Sequence, residues 1–306
     1  MKSFSALKQS IQSIFSIPSS QSPKNEAGFG VIILLLAGLL LLGVGAGGGY
    51  LVLNTVNKPE RIKSSVQPTQ TAFESYNSSI SDIIEYLEEE DSNSDSESIE
   101  RSIQKSKGYV STAETALTSL KDANMKLGSD TKIYKEEIEK YVTTAQPIFE
   151  KAKHENTVGE QMVPLIKEME KMNSDLSGVA NYMYSDPDKY ISLVNEYIKK
   201  QEEILTKFKA IKTEGETKEE IDNAIKLFEA ASNFLKDVVK AVENRDNEAM
   251  VQAQKALSQK SEDLQKQTNR LKDTRKEKLK QTKKELESIE KKINDEYQSL
   301  KNEYKF

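Results

Sequence analysis

Residues 72–87 read AFESYNSSISDIIEYL, and Ala72, Phe73, Tyr76, Ile80, Ile83, Ile84 and Leu87 recur at spacings of three and four. That period places the apolar side chains on one stripe of an α-helix. The run EEEDSNSDSES, residues 88–98, interrupts it, and Ser94 with Glu97 has the spacing of a capping box. A second stripe, Ile99, Ile103, Val110, Ala113, Leu117 and Leu120, continues to Gly128, a residue suited to a helix C-cap. A third helix is predicted over 130–153, carrying Ile138, Tyr141, Val142, Ala145 and Phe149, with a kink at Pro147. Thr157 and Glu160 predict a new helix start before Val163, Ile166, Met169, Leu176, Val179 and Met183. Asp186-Pro187 predicts the next, with Ile191, Val194, Ile198, Leu205 and Phe208. After Gly215, Thr217 and Glu220 suggest a third capping box ahead of Ile221, Ile225, Phe228, Leu235 and Val239, and Asp246 opens the last helix.

No alternating Val/Ile/Thr-rich run bounded by hairpin turns occurs. Helices of about 25 residues joined by short polar loops predict an all-α, antiparallel helical bundle. Composition agrees: charged residues make up 30% of the 306, and Gly is sparse outside one region.

That region lies upstream. Between Glu26 and Lys58 there is no charged residue, and Gly28 to Leu53 read GFGVIILLLAGLLLLGVGAGGGYLVL. As a helix this segment would extend roughly 39 Å, enough to cross a hydrocarbon layer of about 30 Å with some tilt. The expected organisation is a leader at 1–26, possessing a weak amphipathic stripe (Phe4, Leu7, Ile11, Ile14, Phe15) closed by Pro18, and a transmembrane helix with its flank at 27–57. The helical bundle follows at 58–258 and a charged C-terminal helix at 259–306. Gly43, Gly45, Gly47 and Gly49 form overlapping small-xxx-small motifs that allow close helix packing in lipid. A cleaved secretory signal is the competing reading, with Val31 to Leu42 as its apolar region and Val44-Gly45-Ala46 as its cleavage site. Tyr50 to Leu53 count against it, because they carry the apolar run past that site. Gly28-Phe29 after a lysine-bearing leader resembles a prepilin cleavage site, but Ile33 stands where pilins carry Glu. Lys2, Lys8 and Lys24 balance Lys58, Arg61 and Lys63 across the span. The free α-amino group tips the orientation towards a single-pass cell-membrane protein with its large C-terminal part outside the cytoplasm.

The last 61 residues, Asp246 to Phe306, contain neither Pro nor Gly, so an unbroken helix there would reach roughly 90 Å and either project or break. Leu279, Leu286, Ile293 and Leu300 recur every seven residues with Ile289 between them, a pattern for a short coiled coil or a bundle-edge helix. Leu264 and Leu271 are one residue out of that register, which puts an interruption near Arg275. Residues 58–258 hold 27 basic and 38 acidic side chains, whereas 259–306 hold 14 and 10. Lys276, Lys278, Lys280, Lys283 and Lys284 concentrate the basic character. A solvated face, docking on the acidic body and contact with anionic headgroups are the readings of this tract. Nucleic acid ranks last, since no aromatics interleave with the lysines.

Chemistry is sparsely encoded. The chain has no Cys, no Trp and one His, His154, in the polar stretch EKAKHENT at an expected helix end. No P-loop, zincin motif or nucleophile elbow occurs. Asp91-x-Asn93-x-Asp95 copies the first ligands of an EF-hand, but Ser96 replaces the turn glycine and Ser102 the bidentate Glu. The expectation is therefore a non-enzymatic protein without cofactor or metal, acting as a membrane-anchored structural or interaction protein that binds a protein partner or itself. A sensory or ligand-binding ectodomain is the alternative. The build resembles that of bacterial single-pass proteins, with no motif that pins a family.

Overall fold

A computed structural model describes residues 58–88, 95–176, 178–213 and 215–306. The expected transmembrane helix, its glycines Gly43, Gly45, Gly47 and Gly49, and the leader lie outside these residues, as do Asp91 and Asn93. Among the described residues no helix is long and apolar enough to cross a membrane.

The described residues are helical throughout, with no strand: α1 Lys58–Glu88, α2 Ser96–Asn124, α3 Lys132–Leu176, a short α4 Tyr182–Ser185, α5 Pro187–Lys209, α6 Gly215–Asn244 and α7 Asn247–Tyr304. They build two apolar cores arranged end to end. The first joins α1, the latter part of α2, the first half of α3 and the second half of α7, around Phe73, Tyr76, Ile80, Leu120, Tyr141 and Ile293. The second joins the rest of α3 with α5, α6, Ile99 and Ile103 of α2 and Leu264 of α7. Helices α2, α3 and α7 thus tie both cores together. At about 1.5 Å per residue, the 58 residues of α7 run roughly 87 Å, the length of a rod of two stacked bundles. α7 neither projects nor breaks, because α6 flanks its first half and α1 and α3 its second.

Several expected boundaries move. The third and fourth helices are one 45-residue helix, α3, running through Pro147 and Pro164. An interior proline costs about 3 kcal/mol. Burial of Ala145, Ile148 and Phe149 around one, and of Val163, Leu165 and Ile166 around the other, opposes a break. Thr157 does not cap: its hydroxyl donates to the Lys153 carbonyl inside α3. α3 ends at Leu176, before Val179 and Met183, which fall in a short 3₁₀ turn and α4. α1 passes through Pro68, with helix on both sides of it. Gly128 is extended (φ −100°) and precedes a 3₁₀ turn; α2 has already ended at Asn124. Asp95, not Ser94, caps α2 by accepting the Ser98 N–H at 2.7 Å. Asp186 and Asp246 cap α5 and α7 as expected, accepting from Lys189 N–H and Ala249 N–H. α6 stops without glycine: Arg245 takes φ 53°, and Asp246 N–H donates back to Ala241 O at 2.8 Å.

Register in the first core is set by polar rungs. Tyr134 of α3 donates to Gln70 of α1 at 2.8 Å, and Gln70 donates to Asn294 of α7 at 2.9 Å. One heptad on, Tyr141 donates to Asn77. Burial holds the Tyr134 and Tyr141 phenols well above their usual range and Tyr76 at about 12, so all three are neutral across the ordinary pH range; Tyr134 and Tyr141 donate, whereas the buried Tyr76 hydroxyl has no hydrogen-bond partner.

Candidate functional site

The inward face of α7 reads Leu264, Thr268, Leu271, Arg275, Leu279, Thr282, Leu286, Ile289, Ile293, Tyr297 and Leu300, each buried or half-buried. Leu264, Arg275, Leu286 and Tyr297 stand eleven residues apart. Eleven residues over three turns is close to the natural helical period, so this face stays inward without a heptad supercoil. Arg275 therefore occupies a place where the flanking repeats put Leu.

Leu286, Ile289, Ile293 and Leu300 are buried in the first core and Leu279 is half-buried against it. Their partners are α1 and α3 of the same chain. The basic tract divides. Lys278 Nζ lies 2.6 Å from Glu216 of α6, and Lys283 Nζ lies 3.5 Å from Glu88 at the end of α1. Lys276, Lys280 and Lys284 are exposed. Part of the tract thus docks on the acidic body and part faces solvent.

Arg275 marks where the two cores meet. Its guanidinium pairs with Glu155 of α3 and, at 3.5 Å, with Glu220 of α6. The three side chains are 5%, 9% and 5% exposed, so one buried cation faces two buried carboxylates. Glu220 is thereby spent on the junction; α6 begins at Gly215, whose φ of +60° suits glycine, so Thr217 and Glu220 lie inside the helix and form no cap. Around this centre Glu216 accepts from Lys278 at 2.6 Å and from Lys151 at 3.0 Å. Burial pushes the Glu216 carboxyl up, but the two ammonium groups outweigh it and hold it at about 2. His154 is not at a helix end: it sits mid-α3, half-buried, with its Nε2 buried and without a hydrogen-bond partner.

No protein family, curated protein or solved structure matches this chain.

Other features offer little chemistry. A groove of about 420 Å³ between α6 and α7 is lined by Glu219, Asp222, Lys226, Arg270, Leu271 and Thr274, among others, and is wide open. Among the described residues no group of three or more His, Asp or Glu side chains could hold a metal ion. The sequence marked the region of Arg275 as a phase break but not as an inward charge. The eleven-residue spacing of Leu264, Arg275 and Leu286 is the signal that would have found it.

The junction yields a pH prediction. A carboxyl depressed from 4.5 to about 2 contributes stability that is fully present above about 4.5 and is lost as pH falls towards about 2. The thermal midpoint of the chain should therefore fall through that window. The fall should be smaller in a Glu216→Gln chain; equal acid sensitivity in both would remove Glu216 from the account.

Proposed function

We propose that this chain is a membrane-anchored helical rod: a structural or interaction protein with its body outside the cytoplasm, binding a protein partner or a second copy of itself. The observation that carries this reading is the uncharged run from Ala27 to Asn57, with its apolar stretch Gly28 to Leu53. Lys58 is the first charged residue after that run and the first residue that the structure describes, already within α1. Among the described residues, two apolar cores follow it. A lipid layer is the environment that suits twenty-six consecutive uncharged, largely apolar residues. Gly43, Gly45, Gly47 and Gly49 supply a route to self-association within that layer. A ligand-binding ectodomain is the second reading, favoured by the groove between α6 and α7.

The full-length protein should remain in the membrane fraction after high-salt and alkaline washes, and a chain of residues 58–306 should be soluble and strongly helical by circular dichroism. A mature protein beginning at Gly47 would establish the cleaved-signal reading instead. Protease accessibility of the C-terminal part in intact cells reports the orientation.

A further inference from the structure

We infer that the end face of the rod at Lys58 lies against the anionic headgroups of the membrane that the chain's own anchor enters, with Met125 and Ile133 reaching into the lipid interface. This rests on the anchor reading above. Among the described residues, the exposed large apolar side chains are Met125 (72%), Ile133 (60%) and Val251 (62%). Single exposed apolar residues are ordinary; the placing of these is not. Met125 is the C-cap of α2 and Ile133 the second residue of α3, so they flank one turn. Within that turn Leu127 and Thr131 are buried, which holds it against the core. Lys58 and Arg61 bond Asp130 of the same turn at 2.9 and 3.3 Å. Lys58 also sits 5.5 Å from the centre of the Tyr304 ring. The start of α1, the α2–α3 turn and the end of α7 therefore make one face, and Val251 belongs to the opposite end.

Charge follows the same axis. Residues 58–61, 121–132 and 301–306 carry seven basic and four acidic side chains, although 58–258 as a whole is strongly acidic. At the far end, residues 175–189 and 243–248 carry two basic and six acidic ones. Lys126 and Lys132, beside Met125 and Ile133, are exposed, as are Lys301 and Lys305. Apolar side chains interleaved with lysines are what an anionic interface recognises. The tether supplies proximity. Leu53, the last residue of the apolar run, is five residue steps from Lys58, so at about 3.3–3.6 Å per residue the face stays within roughly 18 Å of the lipid boundary.

The test exploits the absence of Trp from the chain. Full-length Met125→Trp, Ile133→Trp and Val251→Trp proteins are each reconstituted into phosphatidylcholine–phosphatidylserine vesicles with brominated acyl chains. The first two should show blue-shifted emission that the brominated lipid quenches, and the Val251→Trp protein neither. Adding Lys126→Glu and Lys132→Glu to the Ile133→Trp chain should return its emission towards that of the Val251→Trp control. An alkaline wash of the same vesicles separates the two readings. A chain that washes off overturns the anchor, and this inference with it. A chain that stays integrated while all three tryptophans remain unquenched overturns the docked face alone, and quenching that survives the charge reversal overturns the headgroup contact.

Discussion

Arg275→Ala should destabilise the helical body by about 3–5 kcal/mol, the usual consequence of leaving buried charge without its partner. The cost comes less from the lost attraction than from what stays behind. Glu155 and Glu220 are 9% and 5% exposed, and with the guanidinium gone they would face each other across a small cavity. Replacing all three residues with Leu should be neutral or stabilising, by up to about 4 kcal/mol, because desolvating three charged groups costs about as much as their attraction returns. Leu264 and Leu286 show that this face of α7 accepts Leu one repeat away on either side. Urea denaturation followed by helical ellipticity reads both variants. An Arg275→Ala change of under about 1 kcal/mol, the range of an exposed pair, would mean that water enters the junction and that the ion pairs are not closed. If the Arg275→Ala chain instead unfolds in two steps, the junction is what couples the two cores.

What could be read from the sequence follows from what periodicity encodes. The stripe of Phe73, Tyr76, Ile80, Ile83 and Leu87 specifies a helix and its buried face, and the structure buries every one of them. Periodicity does not say which helix covers that face. The division into two stacked cores was therefore invisible, and α7 was expected to project or break when its neighbours instead succeed one another along it. Capping signals misled where other contacts, within the helix or across helices, claimed the same side chains. Thr157 bonds the Lys153 carbonyl, and Glu220 turns to Arg275. Asp186 and Asp246 have no such competitor in these contacts, and their caps form. The rungs Tyr134–Gln70–Asn294 escaped notice because Gln and Asn carry no weight in an apolar pattern, although a satisfied polar network fixes the relative positions of three helices. The end of α6 escaped for a different reason: Arg245 adopts the left-handed conformation that a glycine would have advertised.

The seam of α7 carries the second large effect. Leu286→Ala and Ile293→Ala should each cost about 2–5 kcal/mol, since both side chains are buried in the first core and their removal leaves a cavity against α1 and α3. Leu279, half-buried at the margin of that core, should cost less, and Lys280→Ala, on the solvent side, should stay within about 0.5 kcal/mol. Leu286 and Ile293 are seven residues apart, roughly 10 Å along the helix, so their effects should be close to additive. The partner of the seam matters as much as its size. A heptad pattern of this kind also suits pairing with a second chain, but here the same side chains are already covered by the chain's own helices. Loss of stability in the Leu286→Ala and Ile293→Ala chains should therefore be independent of protein concentration. A midpoint that rises with concentration in the unsubstituted chain and stops rising in these variants would show that the seam is shared between chains. Self-association, proposed above for Gly43, Gly45, Gly47 and Gly49, would then be assigned to α7 instead.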